Sequence, residues 1–395
     1  MQSEYTLLLI LGMLLVIAPL ARGILESMGI PALVGYILLG IAISALNEHW
    51  PFINGPFENT ISIFAELGVV VMLFRVGLKS HTSALLKKLP DASLIWIGDV
   101  LTNLAFGFVV SRYLLTLPLE TSLIIATAFS ATSVAVSVVV WDETRKLNTG
   151  TGQLLVDVAE LDDLSGVLLL ALLLAAIPLL GDGEVAIWTQ VSETVFVLIL
   201  KLALFIAGCF VFSHFLERRF TRVNRKWANS TTGMTISVLG AGLGIAAVAG
   251  YLGFSLAVGA LFAGLAFSRD PEAVRAEVKI VYLHDFLAPF FFIHIGMQVN
   301  PETIAPSLGM AMLLFIPAVL GKFIGVAGPA LRILSPHEAI LLGVSMIPRA
   351  EIAMIIMYQC RIFGENIVPN SVYTAMVLVA VMTSILAPLF LRRLL

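Results

Sequence analysis

The chain carries little charge for its length. Asp, Glu, Lys and Arg make up 12% of its 395 residues, whereas hydrophobic residues make up 59% and the mean hydropathy is +1.00. Soluble domains are about 45–50% apolar. The chain has only two cysteines, Cys209 and Cys360, and both lie in apolar runs, so neither a disulfide framework nor a cysteine metal cluster is indicated. The composition predicts an all-α polytopic membrane protein.

Motifs of several enzyme classes are also missing. The chain has no P-loop and no GxGxxG opening a helix after a strand. Intramembrane aspartyl proteases carry Gly-x-Gly-Asp, and Asp99 follows Gly98 without the preceding Gly-x. The first apolar run follows Glu4 rather than a basic segment, and no cleavage site comes after it, so it is predicted to be a span rather than a signal peptide. We therefore predict no enzymatic activity, no cofactor and no nucleic-acid partner.

The hydropathy pattern contains about thirteen runs long enough to cross a bilayer, which takes about 17–25 apolar residues. Prolines, glycines and charge clusters separate the runs. The predicted spans are 5–22, 29–46, 60–78, 91–115, 119–140, 152–180, 190–216, 231–249, 252–268, 279–298, 305–331, 337–363 and 370–391.

Basic residues are distributed unevenly between the two sets of loops. The loops after the odd-numbered spans, together with the C-terminus, carry 17 of the 23 Lys and Arg residues. The positive-inside rule then puts the N-terminus outside and the C-terminus in the cytoplasm. We predict a multi-pass protein of the plasma (inner) membrane with this orientation.

The sequence indicates inverted repeats. Span three ends in MLFRVGLK, which contains Gly77, and span ten ends in FFIHIGMQ, which contains Gly296. An offset of seven spans reverses direction through the membrane, as in many secondary transporters. Under this offset span five, with its small and hydroxylic middle, corresponds to span twelve, which contains Pro348. We predict that both are broken helices that cross near the membrane midplane.

Span six begins with the stretch DVAELDDLSG, which has four carboxylates in seven residues. A charge at bilayer depth costs at least ~2.5 kcal/mol, so such a cluster needs partners, water or cations. Asp162 and Asp163 are adjacent, hence about 100° apart on a helix, and cannot point the same way. Carboxylate oxygens suit hard cations such as sodium, as well as protons. We predict that Asp162 and Asp163 bind Na⁺ and protons.

Three later charges lie at a similar predicted depth. Lys322 in span eleven is the natural counter-charge for the aspartates. Glu351 and Arg349 in span twelve could pair with Lys322 or with the acids of span six. Two hypotheses stay open for these two residues, namely an architectural ion-pair network and direct participation in proton coupling.

Oxygen groups near the aspartates are further candidates. Glu160 lies three residues before Asp163 and therefore on the same helix face, where it could be a supporting carboxylate behind the aspartate pair or an entry relay. Thr132 and Ser133 of span five offer hydroxyl oxygens at the predicted depth of the acids. Such hydroxyls either contact the ion or only bond their own backbone.

The Thr-Ser pair of span five, the Asp-Asp pair of span six, Lys322 and the Pro-Arg-x-Glu of span twelve together resemble one family. The chain is similar to monovalent cation:proton antiporters of the Kef and NapA branch, related to the NhaA-type sodium/proton antiporters. The resemblance implies an NhaA/NapA-like fold. It also implies that Asp163 binds the ion or proton, that Asp162 is bridged to Lys322, and that Glu351 supports that lysine.

The resemblance further implies a homodimer that works by elevator-like alternating access. Residues 91–180 and 305–391 would form the ion-transport core, and residues 1–78 and 190–298 a dimerisation scaffold with linker helices, all within one transporter unit. The expected activity is exchange of Na⁺ or Li⁺ for protons. A K⁺/H⁺ antiporter or Kef-like efflux system is the first alternative. A channel or sensor without coupled exchange is the second.

Overall fold

In the computed structural model, residues 2–50, 53, 55–79, 82–180, 187–228, 231–269 and 271–395 are described, and every regular element among them is helical. This confirms the predicted all-α class. The first eight helices are α1 (Gln2–Ser27), α2 (Ala32–His49), α3 (Gly55–Lys79), α4 (Thr82–Val109), α5 (Leu119–Ser130), α6 (Ala135–Glu143), α7 (Gly150–Leu180) and α8 (Ile187–Val211).

The second half of the chain continues the helical pattern. Its elements are α9 (Glu217–Ala228), α10 (Thr231–Tyr251), α11 (Leu256–Phe267), α12 (Pro271–Met297), α13 (Pro301–Ala330), α14 (Pro336–Ser345), α15 (Glu351–Cys360) and α16 (Asn370–Leu394). Single π-helical turns, Val110–Leu114 and Phe212–Leu216, extend α4 and α8, and a 3₁₀ turn, Arg361–Phe363, follows α15.

Within the described residues, ten helical segments are long and apolar enough to cross a membrane, and α5 and α11 are shorter apolar helices. Each predicted span contains one helix or a pair of short helices. The number of thirteen membrane crossings itself stays a prediction. The ten long apolar segments make this a multi-pass membrane protein.

Two predicted spans are interrupted near their middle. Residues 131–134 separate α5 from α6, and residues 346–350 separate α14 from α15. Pro348 has no N–H to give to a helix, and its carbonyl oxygen accepts a hydrogen bond from the Ser133 N–H at 2.8 Å. The two unwound segments therefore meet and satisfy part of each other's freed backbone. This confirms the predicted pair of crossed broken helices.

Side chains at the crossing hold the end of α14. The Ser137 hydroxyl donates to the Ser345 carbonyl oxygen at 2.6 Å, and the Trp141 indole N–H donates to the Ser345 hydroxyl at 2.8 Å. All three residues are buried. At its other end α14 starts with a capping box, in which Ser335 and Glu338 bond each other's backbone N–H. Both ends of this short helix are thus fixed by polar contacts.

The chain divides into two compact units. One comprises Met1–Glu66, Leu89–Gly166 and Pro289–Leu395, and the other comprises Leu67–Lys88 and Val167–Ala288. The first unit contains both helix breaks. In it, α13 packs along α16 and α14. The second unit contains α8 to α11, of which α10 packs against α11 and α9.

Each unit contains a close glycine crossing of the same kind. In the first, α2 crosses α12 at Gly40 and Gly296, and in the second, α3 crosses α11 at Gly77 and Gly264. A Cβ on any of the four would overlap a backbone carbonyl oxygen of the other helix. The predicted repeat relates α2 to α11 and α3 to α12, so it exchanges these two crossings. The inverted repeat is therefore visible in the packing as well as in the two breaks.

Candidate functional site

Lys322 on α13 is completely buried and sits between two aspartates. Its Nζ donates to Asp99 Oδ2 at 2.7 Å and to Asp162 Oδ2 at 3.1 Å, and both carboxylates are also completely buried. Burying charges is tolerated only when they are paired and hydrogen-bonded. One ammonium group thus forms ion pairs with two carboxylates inside the first unit.

The same ammonium group closes the end of α5. Lys322 Nζ donates to the carbonyl oxygen of Ser130, the last residue of that helix, at 2.6 Å. The last carbonyls of a helix have no intrahelical donor and carry partial negative charge, so a cation is favourable there. The break in span five therefore leaves a helix-end carbonyl oxygen free to accept a hydrogen bond from Lys322.

Arg349 lies in the second break and is also buried. It donates to the carbonyl oxygens of Phe129, Ala131 and Ala318, and to Asn103 Oδ1, the last two at 2.6 and 2.8 Å. Its guanidinium group also lies 4.7 Å from the centre of the Phe129 ring. Arg349 therefore ties the end of α5 to α4 and α13 through neutral partners.

Asn103 connects the two cations. Its Nδ2 donates to Asp99 Oδ1 at 2.6 Å and to the Asp99 carbonyl oxygen at 2.8 Å, while its Oδ1 accepts from Arg349. A continuous hydrogen-bonded chain thus runs from Arg349 through Asn103 and Asp99 to Lys322. Every member of this chain is buried. It holds α4, the end of α5 and α13 together.

Asp163 differs from its neighbour Asp162. Asp162 is buried against Lys322, whereas Asp163 is partly exposed and takes no hydrogen bond or ion pair within the described residues. Asp162 directly precedes Asp163, and Glu160 lies one turn before it on α7, so further carboxylates lie near Asp163. A carboxylate without a protein partner is available to a cation.

Thr132 and Ser133 lie in the first break. Both are at least 97% buried, and their hydroxyl oxygens have no hydrogen-bond partner within the described part of the chain. Ala131, which precedes them, lies beside Gly166 of α7, one turn beyond the aspartate pair. Burying a hydroxyl group without a hydrogen-bond partner costs free energy, and a bound cation would offset this cost. Both hydroxyl oxygens are therefore candidate ligands for a hard cation.

Glu351 and Glu160 are placed at the edge of the network. Glu351 is the first residue of α15, where a carboxylate is favoured by the helix dipole, and Glu160 lies one turn before Asp163 on α7. Both are partly buried. Lys322 contacts neither of them in the described residues, since its partners are Asp99, Asp162 and Ser130. The roles predicted for both glutamates stay predictions.

Asp99 belongs to the site, although the sequence analysis assigned it no role there. The sequence puts it inside span four, and Gly98 before it gives no motif. In the structure it makes the shorter of the two carboxylate contacts to Lys322. The sequence does contain a signal for Asp99, because a charge inside an apolar span requires a partner and Asn103 follows one turn later.

Comparison with known proteins agrees with this fold. The model of the family described as "Sodium/hydrogen exchanger, transmembrane" matches residues 12–395. The Na⁺/H⁺ antiporter of Enterococcus hirae is 27% identical over 97% of this chain and 96% of its own length. The Na⁺/H⁺-K⁺ antiporter GerN of Bacillus cereus is 24% identical over 98% and 96%.

A solved structure shares the architecture. The sodium proton antiporter MjNhaP1 of Methanocaldococcus jannaschii superimposes with a TM-score of 0.70 over 98% of this chain and 96% of that one, at 17% sequence identity. At this identity the likeness concerns the fold. Membership of the Kef and NapA branch stays a prediction. The family model's match to residues 12–395 makes this chain a member of the sodium/hydrogen exchanger family, whose proteins are transporters that exchange cations and protons.

Proposed function

We propose that the chain exchanges Na⁺ or Li⁺ for protons, and that cation and protons compete for Asp162 and Asp163. The observation that carries this proposal is the difference between the two residues. Asp162 is held by Lys322, while Asp163 is partly exposed and has no partner within the described residues. A site that must bind and release an ion needs one carboxylate that the protein itself does not neutralise.

Charge counting supports competition. Asp99 and Asp162 share the single ammonium of Lys322, and Asp163 adds a third carboxylate. A sodium ion or a proton on Asp163 reduces the excess of negative charge, but the two cannot occupy the same oxygen atoms together. Loading one therefore expels the other. Thr132 and Ser133 would complete the oxygen ligands of Na⁺, which as a hard cation prefers such groups.

For alternating access, we propose that residues 91–180 and 305–391 move as one body against residues 1–78 and 190–298 in a homodimer of the plasma membrane. The N-terminus would lie outside and the C-terminus in the cytoplasm. In support, the hydrogen bonds of Lys322 and Arg349 all end on residues of the first two segments. An ion site built within one body can be carried across the membrane without being dismantled.

The first test measures proton movement driven by Na⁺ in proteoliposomes. The wild type should move protons when a Na⁺ gradient is imposed. Asp163→Asn should fall to the level of protein-free liposomes, because an asparagine side chain has no negative charge to bind Na⁺ and does not take up a proton. Asp142→Asn, a change at an exposed aspartate of α6, is the matched control and should keep full activity. Full exchange by Asp163→Asn would place the ion site elsewhere.

A second candidate function is K⁺/H⁺ exchange, which is favoured by the name of the Bacillus cereus relative, a Na⁺/H⁺-K⁺ antiporter. The same proteoliposomes separate the candidates. Proton movement driven by K⁺ but not by Na⁺ would support this second candidate. Cation flux without proton movement would support a channel or sensor and overturn both exchange hypotheses.

A further inference from the structure

The two carboxylate partners of Lys322 differ in how their oxygen atoms are used. Both oxygens of Asp99 accept hydrogen bonds, Oδ1 from Asn103 at 2.6 Å and Oδ2 from Lys322 at 2.7 Å. Asp162 accepts a longer hydrogen bond from Lys322, 3.1 Å, on its Oδ2. Its Oδ1 is buried and has no hydrogen-bond partner among the described residues. The protein therefore occupies both oxygens of Asp99, whereas Asp162 keeps one oxygen available for a cation.

The Asp99–Lys322 ion pair lies between two closely packed helices, α4 and α13. A Cβ on Gly325, three residues after Lys322, would lie 3.0 Å from the Asp99 Cα atom, and a Cβ on Gly98 would lie 2.8 Å from the Gly325 carbonyl oxygen. Small residues allow two membrane helices to approach this closely. The backbones of α4 and α13 thus hold Asp99 and Lys322 together, whereas Asp162 reaches the ammonium group from a third helix, α7.

We propose that Asp99 is the permanent partner of Lys322 and that Asp162 is the exchangeable one. In this arrangement Asp99 is a positioning residue, which acts on the transported ion through Lys322 and does not touch that ion. The inference rests on the exchange proposed above at Asp162 and Asp163. It adds that Asp99 sets the affinity of that site for Na⁺.

The physical reason is the cost of leaving a buried charge without a partner. A cation on Asp162 draws on the same carboxylate that Lys322 uses, so it weakens this ion pair. Lys322 keeps Asp99 and the carbonyl oxygen of Ser130, which lies 2.6 Å from its Nζ. Without the charge of Asp99, the same cation would leave the buried ammonium group without either carboxylate, which is strongly unfavourable. Asp99 therefore lowers the cost of Na⁺ binding.

The test measures Na⁺ binding to the purified full-length chain in detergent by titration calorimetry. Asp99→Asn keeps the size of the side chain and removes its charge. It should raise the Na⁺ dissociation constant about tenfold, the effect expected for one hydrogen bond between charged groups. Asp91→Asn, a change at an exposed aspartate about two turns earlier on α4, is the matched control and should bind Na⁺ like the wild type.

A second pair of variants shows whether Asp99 acts through Lys322. Lys322→Gln removes the ammonium group that shares Asp162, and should lower the Na⁺ dissociation constant. Adding Asp99→Asn to Lys322→Gln should change this constant by less than about twofold, because the group that Asp99 positions is gone. A loss of affinity that persists without the lysine, or unchanged affinity in Asp99→Asn itself, would overturn the inference. Absence of Na⁺ binding in the wild type, or full binding by Asp163→Asn, would instead contradict the proposed exchange site.

Melting temperatures measured without Na⁺ give an answer even where a variant does not fold. Asp162→Asn leaves Lys322 its shorter contact, to Asp99 at 2.7 Å, whereas Asp99→Asn leaves it only the longer one. Asp99→Asn should therefore be the less stable of the two, and failure of Asp99→Asn alone to fold would support the inference. A lower melting temperature for Asp162→Asn would make Asp162 the permanent partner and overturn it.

Discussion

The break between α5 and α6 and the break between α14 and α15 correspond under the inverted repeat, yet their side chains differ. The first contains two neutral hydroxyls, Thr132 and Ser133, which have no partner within the described residues. The second contains Pro348 and Arg349, and the Arg349 guanidinium group donates hydrogen bonds to three carbonyl oxygens.

The helix ends at the two breaks also receive different donors. The end of α5 is held by two cations, Lys322 and Arg349, whereas the end of α14 is held by the neutral side chains of Ser137 and Trp141. The two breaks thus have similar backbones but different distributions of charge. We infer that the first break is the one that contacts the transported ion, and that the second supplies a fixed clamp for the first.

The largest effect on stability is expected from Arg349→Ala. The carbonyl oxygens of Phe129 and Ala131 and the amide oxygen of Asn103 would lose a donor in a buried place, where each unsatisfied group costs about 1–3 kcal/mol. The free energy of unfolding should fall by about 3 kcal/mol or more. The measurement is the melting temperature of the purified protein in detergent.

Arg349→Lys sharpens this test. A lysine keeps the positive charge but lacks the planar fork that reaches several acceptors at once. If the clamp hypothesis holds, Arg349→Lys should be destabilised nearly as much as Arg349→Ala. A lysine variant with wild-type melting temperature and no exchange would instead give Arg349 a direct part in proton coupling, and the contrast between the two breaks would fail.

An intermediate effect is expected at the first break. Thr132→Val and Ser133→Ala remove hydroxyls that bond no protein group in the described residues, so the melting temperature should stay close to that of the wild type. If they are ion ligands, each change should weaken Na⁺ affinity about fivefold, or about 1 kcal/mol. The measurement is the Na⁺ concentration that gives half-maximal exchange. Unchanged affinity in both variants would remove the first break from the ion site.

The smallest effect is expected at the end of α14. Ser137→Ala removes one neutral hydrogen bond, to the Ser345 carbonyl oxygen, and should cost about 1 kcal/mol of stability. Half-maximal Na⁺ concentration should not change, because this helix end is assigned to the framework. A shift in Na⁺ affinity comparable to that of Ser133→Ala would mean that both breaks act on the ion.

The sequence predicted the helical class, both helix breaks and the inverted repeat, because each rests on a local signal. Apolar run length indicates a span, Pro348 cannot continue a helix, and Gly77 and Gly296 recur at matching positions. Counting residues along their helices places Asp162 and Lys322 at similar depths, and this agreement in depth is the reason for pairing them.

What the sequence could not provide is the lateral arrangement of helices. Asp99 and Lys322 are 223 residues apart, and only the packing of α4 against α13 brings their side chains to 2.7 Å. The contacts of Arg349 with Phe129 and Ala318 depend on the crossing of the two breaks in the same way. Residue depth follows from one helix, whereas neighbours follow from the whole fold.

The central claim is that cation and protons compete for the same carboxylates. The most direct measurement adds NaCl to the purified protein in weakly buffered solution with a pH-sensitive dye, and follows Na⁺ binding in parallel. The account predicts that wild-type protein releases protons as Na⁺ binds, and that Asp163→Asn loses both signals. Na⁺ binding without any proton release in the wild type would contradict it.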